Sequence, residues 1–337
     1  MTNFVAPTRR RFLQGTAAAA GTAAFAIPFS EAFGAGYPSR NINVIIPTRE
    51  GGGADRNFRA FTGVWSKILK TKFEPGFFPG ASGRVGYEVF MGKREADCYS
   101  LIFGNMGPEV LNWVVKAPSF NVSDYLYFGR VDTDPGCVFV GNKSKFQSID
   151  EIVAEGKKRK LNVGTSRMAH PASIGILALG EKTGAKFNLI PLSGGKNTIA
   201  GAVTGEVDFS VLTSGSVAAK NKSVRTLLVF DDKNKLGERL DNAPTINDHF
   251  KMDLPPLLSS RAFAIHKAAV DKYPDRFKVL QDSFPKVFDD PAFLKAYKKA
   301  KGNVEYLSPG GVTECATYVK DIMKIGARFK PLLSGKK

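Results

Sequence analysis

The sequence predicts a two-lobed α/β fold, each lobe a mainly parallel sheet flanked by helices. Three observations carry this. Strand–glycine-turn–helix units recur along the chain, and such units imply right-handed crossovers between parallel strands. The units fall into two blocks, at residues 42–103 and 137–230. After Phe230 a charged, loop-like stretch leads to one apolar strand, 261–266, followed by three helical patterns. A lone strand cannot build an α/β domain, so it is expected to rejoin the first block. The second lobe is then inserted into the first: 35–130 with 242–337 form one lobe, and 131–241 the other.

Each element has its own reason. Ile42, Val44, Ile45 and Ile46 make a short apolar run that reads as a buried strand ended by Pro47. Gly51, Gly52 and Gly53 follow, and Phe58, Phe61, Trp65, Ile68 and Leu69 then recur at helical spacing. Residues 73–86 read as a loop opening a helix over 85–91. Gly80, Gly83 and Gly86 match a dinucleotide fingerprint only weakly, because no convincing strand precedes them. Residues 99–103 are the next strand, ending at Gly104 and Asn105. Residues 125–131 and 137–140 read as two strands joined by a turn, Thr133-Asp134-Pro135-Gly136.

Ser148 with Glu151 three residues on marks a helix start. Strands are expected at 161–165, 186–191, 207–212 and 224–230. Helices are expected at 172–183, from about 198 to Thr204, and at 271–288, 291–301 and 312–329.

Composition narrows the partners. The chain has 337 residues, 43% of them hydrophobic, enough for more than one core. The formal net charge of +17 favours nucleic acid, an anionic membrane surface or small anions. Lysine and arginine are spread along the chain, and the dense run Lys157-Lys158-Arg159-Lys160 reads as a solvated helix end. No basic stripe interleaved with aromatics appears, which argues against nucleic acid.

The N-terminus reads as an address. Thr8-Arg9-Arg10-Arg11-Phe12-Leu13-Gln14 resembles the twin-arginine export signal, departing from it only at Gln14. An alanine-rich stretch to Ile27 is too short to span a bilayer. Ala32-Phe33-Gly34 offers small residues at cleavage spacing, so 1–34 is expected to be a signal peptide and the destination the periplasm. No later stretch reaches membrane-spanning length. Cys98, Cys137 and Cys315 show no metal-site spacing, and only His170, His249 and His266 accompany them. No metal or other cofactor is expected, and the thiols read as half-buried, with their disulfide status open.

Ligands in open α/β sheets bind at the carboxyl ends of strands. The turns there are 51–55, 104–106, 166–171, 193–196 and 213–215, with Arg49, Arg56, Arg167 and Lys196 among them. Donors outnumber acceptors, which suits a carboxylate or phosphate. A helix N-terminus stabilises an anion by about 0.3–2 kcal/mol. Micromolar affinity needs about 8 kcal/mol. Two turns from opposite lobes, an arginine and exclusion of water are therefore required together.

Catalytic signals are sparse. Ser193-Gly194-Gly195 lacks the Gly-x-Ser-x-Gly elbow, and Gly195-Lys196-Asn197-Thr198 is not a Walker loop. Asp55 reads as a residue satisfying amides at a helix start. An exported hydrolase using Ser166 or Ser193 with His170 is the alternative, though no third triad member stands out.

The chain resembles the periplasmic solute-binding receptors of the tripartite tricarboxylate transporter family, the TctC or Bug proteins. Tyr37-Pro38-Ser39-Arg40-Asn41-Ile42 through Pro47, with Gly51-Gly52-Gly53-Ala54-Asp55, matches the family's mature start. Pro79-Gly80-Ala81-Ser82-Gly83-Arg84-Val85-Gly86 is similar to its Pro-Gly-Ala-Gly-Gly-x-x-Gly loop, and Asp97-Cys98-Tyr99-Ser100-Leu101 to its Asp-Gly-Tyr-Thr-Leu segment. Val163-Gly164-Thr165-Ser166, Ile190-Pro191-Leu192-Ser193-Gly194, Thr204-Gly205-Glu206-Val207-Asp208 and Ala243-Pro244-Thr245 follow in order. Thr48, Arg49 and Glu50 depart from the pattern, where Phe is usual at 48. So do Leu192 and Ser193, and Arg167 and His170 are uncommon.

The resemblance implies a venus-flytrap receptor without catalytic activity, expected to be a monomer. It implies capture of a small mono-, di- or tricarboxylate and delivery to a two-component membrane permease. It places ligand contacts at Arg49, Gly51, Gly52, Gly53, Ala54 and Asp55 in one lobe. Thr165, Ser166, Arg167 and His170 are the contacts in the other. Asn105, Thr213 and Ser214 line the sides.

Overall fold

Alternating apolar residues and glycine turns build the observed fold in the order the sequence suggests. The computed structural model describes residues 36–334. The twin-arginine-like motif and the expected signal peptide at 1–34 lie outside the described residues. β1 (Ile42–Ile46) is buried and leads through the glycine turn into α1 (Gly53–Leu69). β2 (Phe73–Phe77), α2 (Arg84–Lys93), β3 (Ser100–Asn105) and α3 (Met106–Val115) follow.

β4 (Tyr125–Gly141) is one strand of 17 residues. Then come α4 (Ile149–Lys158), β5 (Leu161–Thr165), α5 (Pro171–Thr183), β6 (Phe187–Pro191) and α6 (Gly195–Thr204). β7 (Phe209–Thr213), α7 (Ser214–Ala218), β8 (Val224–Val229) and α8 (Ile246–Phe250) complete the second block. β9 (Leu258–His266) precedes α9 (Lys267–Lys272), α10 (Pro274–Ser283), α11 (Lys286–Asp289) and α12 (Pro291–Lys299). β10 (Leu307–Gly310) and α13 (Val312–Leu333) close the described chain.

The strands form two sheets joined through β4. The first runs β2-β1-β3-β9-β4, with β10 also on β4. β1, β2 and β3 are parallel, and β9 runs antiparallel to β3 and β4. The second sheet runs β4-β7-β5-β6, with β8 also on β4, and β5, β6 and β7 are parallel. β4 changes partner abruptly: Pro135 pairs with Leu258 of β9, and Gly136 pairs with Thr213 of β7. The lone strand expected to rejoin the first block does so as β9. Each sheet is thus mixed, with its parallel strands on the outside (β1–β3; β5–β7) and antiparallel pairings around β4, where the sheets meet.

Five expectations need correction. Residues 73–77 are not a loop but the edge strand β2, which accepts Pro75 and Gly76 because one of its sides carries no ladder. The stretch after Gly104 continues as α3, whose Gly107 and Pro108 sit in the first turn, where proline costs no hydrogen bond. Thr133-Asp134-Pro135-Gly136 is not a turn, for residues 125–141 are one extended strand. Residues 271–288 are not one helix: Pro274 starts α10 and Pro285 precedes α11, so the run breaks into three. The three cysteines are free and fully buried rather than half-buried.

The first lobe's core is aromatic. Phe61 packs against Trp65, Phe263, Phe284 and Phe293, and Trp65 Nε1 donates to Ser283 Oγ at 2.8 Å. The end of β1 is fixed by close packing under α2. A Cβ at Gly86 would lie 2.8 Å from Pro47 Cα and 3.2 Å from the Phe78 carbonyl. Gly86→Ala is therefore expected to cost about 1–3 kcal/mol. Urea unfolding checks this, and an unchanged midpoint contradicts it.

Candidate functional site

The turns at the strand ends converge on two buried clusters. The first is built around Arg261, which sits in β9 opposite Asn105 of β3 and Asp132 of β4. Arg261 Nη1 donates to Asp132 Oδ2 at 2.5 Å, and its Nη2 lies 3.7 Å from Asp134 Oδ2. Asp132 also accepts from Asn57 Nδ2 at 2.9 Å and from Tyr297 Oη at 2.7 Å. Asp134 Oδ1 accepts from the Gly215 amide at 2.8 Å and from Ser214 Oγ at 3.3 Å. A Cβ at Gly53 would lie 3.8 Å from Arg261 Nη2. The first-lobe glycine turn and the second-lobe turn after β7 thus meet on one network.

Its charges are tuned by burial. Burial works against the Arg261 charge, but Asp132 and Asp134 outweigh it and its pKa is raised. The Asp134 carboxyl is pushed up to about 6 by burial, opposed by Arg261 and the Gly215 amide. Removing one member would leave an uncompensated buried charge.

The second cluster joins the lobes through Arg167. This half-buried side chain comes from the loop after β5. Its Nη1 donates to the carbonyl of Ser82 in the first lobe at 3.1 Å. The same carbonyl accepts from Asn112 Nδ2 at 3.1 Å. Four successive left-handed residues aim it: Gly80 (φ 137°), Ala81 (φ 43°), Ser82 (φ 59°) and Gly83 (φ 101°). Holding Ala81 and Ser82 there costs about 1–2 kcal/mol each.

Glu109 lies behind this loop. Its Oε1 accepts from the Asn105 amide at 2.9 Å and its Oε2 from Tyr127 Oη at 2.6 Å. Burial raises its pKa, against the Tyr127 and Asn105 hydrogen bonds. Burial lowers the Arg167 pKa, and Glu109 opposes that. No carboxylate forms an ion pair with Arg167 among the described residues.

The residues singled out from sequence fare differently. Arg49 is exposed, and its side chain makes no hydrogen bond or ion pair among the described residues. The Gly51 amide donates to Asp55 Oδ2 at 2.8 Å and the Gly52 amide to the Arg49 carbonyl at 3.3 Å. Asp55 also takes Arg59 Nε at 2.7 Å, so it stabilises the helix start. The Gly53 and Ala54 amides, at the N-terminus of α1, have no hydrogen-bond acceptor among the described residues. Thr165 Oγ1 is 3.0 Å from Ser173 Oγ, Thr213 Oγ1 is 2.9 Å from Ser216 Oγ, and Ser214 Oγ is 2.6 Å from Tyr306 Oη. The Ser166 carbonyl accepts the Gly194 amide at 3.1 Å. Most hydroxyls that looked available are spent locally.

His170 caps α5, its Nδ1 accepting the Ala172 amide at 3.1 Å. It makes no hydrogen bond to Ser166 or Ser193 among the described residues. Sequence reasoning missed Arg261, Asp132, Asp134, Glu109 and Ser82. Only Ser82 left a signal, as a non-glycine residue in a glycine-rich loop. Among the described residues no group of three or more His, Cys, Asp or Glu could hold a metal ion, and no helix is long and apolar enough to cross a membrane.

No family model matches the chain. Protein BugT of Bordetella pertussis is 24% identical over 236 residues, covering 68% of this chain and 71% of its own length. The UPF0065 protein in the gbd 5' region of Cupriavidus necator is 25% identical over 296 residues, covering 86% and 88%. A TctC solute binding protein from Polaromonas shares the fold with a TM-score of 0.67 at 21% identity, covering 89% of this chain and 99% of that one. An R. palustris protein solved with adipate does so with a TM-score of 0.75 at 16% identity, covering 89% and 98%. Sequence relatives and fold neighbours support the TctC/Bug resemblance.

The cap gives a pH dependence. Burial first, then Arg167, pushes the His170 imidazole down to about 3 from its ordinary value of 6.5. Between those values the unfolded chain binds the extra proton, so stability is full above the window and falls as pH drops through it. Asn caps helices well and does not titrate. His170→Asn should therefore lose less stability than the parent between about pH 7 and about pH 4, measured by urea unfolding. Parallel pH curves contradict this.

Proposed function

We propose that this chain, a relative of the TctC/Bug solute-binding proteins, is a periplasmic receptor that closes on a small carboxylate between its lobes. In this reading it presents the ligand to a two-component membrane permease and performs no chemistry on it. Arg167 carries the reading. Its guanidinium bridges the lobes, spends one donor on the Ser82 carbonyl, and makes no ion pair among the described residues, Glu109 acting on it only from a longer range. Half-burying such a group is costly unless an anion joins it. A ligand carboxylate can take the remaining donors as a fork. The free amides of Gly53 and Ala54 add partial positive charge at a helix start.

The adipate bound by one fold neighbour supports the carboxylate class. The Thr8–Gln14 motif supports export by the twin-arginine route. The lobes would pivot where β4 passes from Pro135 to Gly136, and where residues 245–250, which pair with Val229 and bond Asp150, lead on to β9. Nothing in the geometry favours a hydrolase. His170 spends Nδ1 on its cap and is held neutral.

A thermal-shift screen over aliphatic and aromatic carboxylates identifies the ligand, because a ligand that binds only the folded state raises the midpoint with concentration. With that ligand, Arg167→Ala is expected to weaken binding by about 1.5–3 kcal/mol in calorimetric titration. Arg49→Ala, at an exposed site, should change it by less than about 1 kcal/mol. Unchanged affinity in Arg167→Ala contradicts the reading.

A further inference from the structure

The first residues of β4 leave one strand edge uncovered. β9 pairs with β4 from Tyr125 onward. β10 lies on the opposite edge, where Leu307 pairs with Asp132 and Gly310 with Arg130. The chain then turns at Gly311 into α13. Among the described residues, no strand therefore pairs with 125–129 on that side. This edge is separate from the interlobe site. Leu126 precedes Pro135, where β4 leaves the first sheet, by nine residues, or about 30 Å of extended chain.

A groove of about 330 Å³ occupies the place where β10 would have continued. One wall is Tyr125, Leu126 and Tyr127, three consecutive residues. Successive side chains of a strand point to opposite faces, so a groove that touches all three runs along the strand's edge. The Tyr125 and Tyr127 hydroxyls are both committed to Glu109, at 3.4 and 2.6 Å. The other wall is an apolar face of α13, with Cys315, Ala316, Val319 and Met323 at helical spacing. Lys320 stands on the same wall. It is exposed and makes no hydrogen bond or ion pair among the described residues.

We propose that this groove receives an extended segment of another protein chain, with apolar residues alternating with acidic ones, as an added strand on β4. The uncovered edge selects the extended form, because only a second strand can take up its row of backbone groups. The apolar wall of α13 accommodates alternate side chains of that strand. Lys320 sets the charge of the guest, since a carboxylate beside it forms an ion pair that the protein itself does not supply. A compact amphiphile would fill the apolar wall and leave the strand edge unused. The assignment does not depend on what the interlobe site binds.

The test titrates the protein with the capped peptide acetyl-Val-Glu-Val-Glu-Val-amide and follows backbone amide NMR shifts. A second peptide of the same sequence carries N-methyl groups on its valines, which removes their backbone donors. Decanoate is the compact amphiphile. The first peptide should give saturable shifts at 125–128 and 315–323. The N-methylated peptide should bind at least about fivefold more weakly, the effect of losing one ladder hydrogen bond or more. Lys320→Glu should weaken the first peptide, and Ala316→Trp, at an exposed position on the apolar wall, should block it. Both variants should keep the parent's melting point. Equal binding of the two peptides would mean adsorption to an apolar wall, and overturns the proposal. So does the absence of saturable shifts at 125–128 with the first peptide, whether or not decanoate binds.

Discussion

Arg261 is held by two carboxylates of the neighbouring strand, and the arrangement of both lobes depends on that contact. Asp132 and Asp134 are two residues apart in β4, so their side chains share one face of the strand. That geometry requires the chain to stay extended through Thr133, Asp134 and Pro135. A turn there would send the carboxylates apart and leave the Arg261 charge buried without compensation. Breaking such a pair costs about 3–5 kcal/mol, more than the local turn preference of Asp-Pro-Gly can return. The extended strand then runs on from the first sheet into the second. Asn57 and Tyr297 tie α1 and α12 to this network, and the Gly215 amide ties α7.

This explains what was legible in the sequence and what was not. β1 and β5 were readable to the residue, because short apolar runs ended by Pro47 and by the Thr165–Ser166 loop are local signals. The two-block organisation followed from the glycine turns. β2 was hidden because an edge strand tolerates Pro75 and Gly76, which read as loop. α3 was hidden because its first turn carries Gly107 and Pro108. The single β4 strand was unreadable for a different reason. Arg261 lies 129 residues from Asp132, and no local pattern announces that pairing.

The candidate site divides along the same line. Arg167 was visible as a cation in a strand-end loop, but that it forms no ion pair among the described residues emerges only once Glu109 and Ser82 are placed. Thr165, Thr213 and Ser214 looked like ligand donors because hydroxyls at strand ends are ambiguous. In the fold they are occupied by Ser173, Ser216 and Tyr306. Glu109 takes the Asn105 amide much as Asp55 takes that of Gly51. Helix starts that resembled anion sites are thus partly filled by the protein's own carboxylates. Among the described residues, what stays open is Arg167 and the Gly53 and Ala54 amides.

The central claim is that one mostly buried guanidinium, that of Arg261, couples a turn in each lobe. Hydrogen–deuterium exchange on Arg261→Met tests it directly, with β6 as the internal reference. The account predicts faster exchange at 51–57 and at 213–218 together, relative to 187–191. Acceleration at only one of the two turns, or at neither, would contradict it.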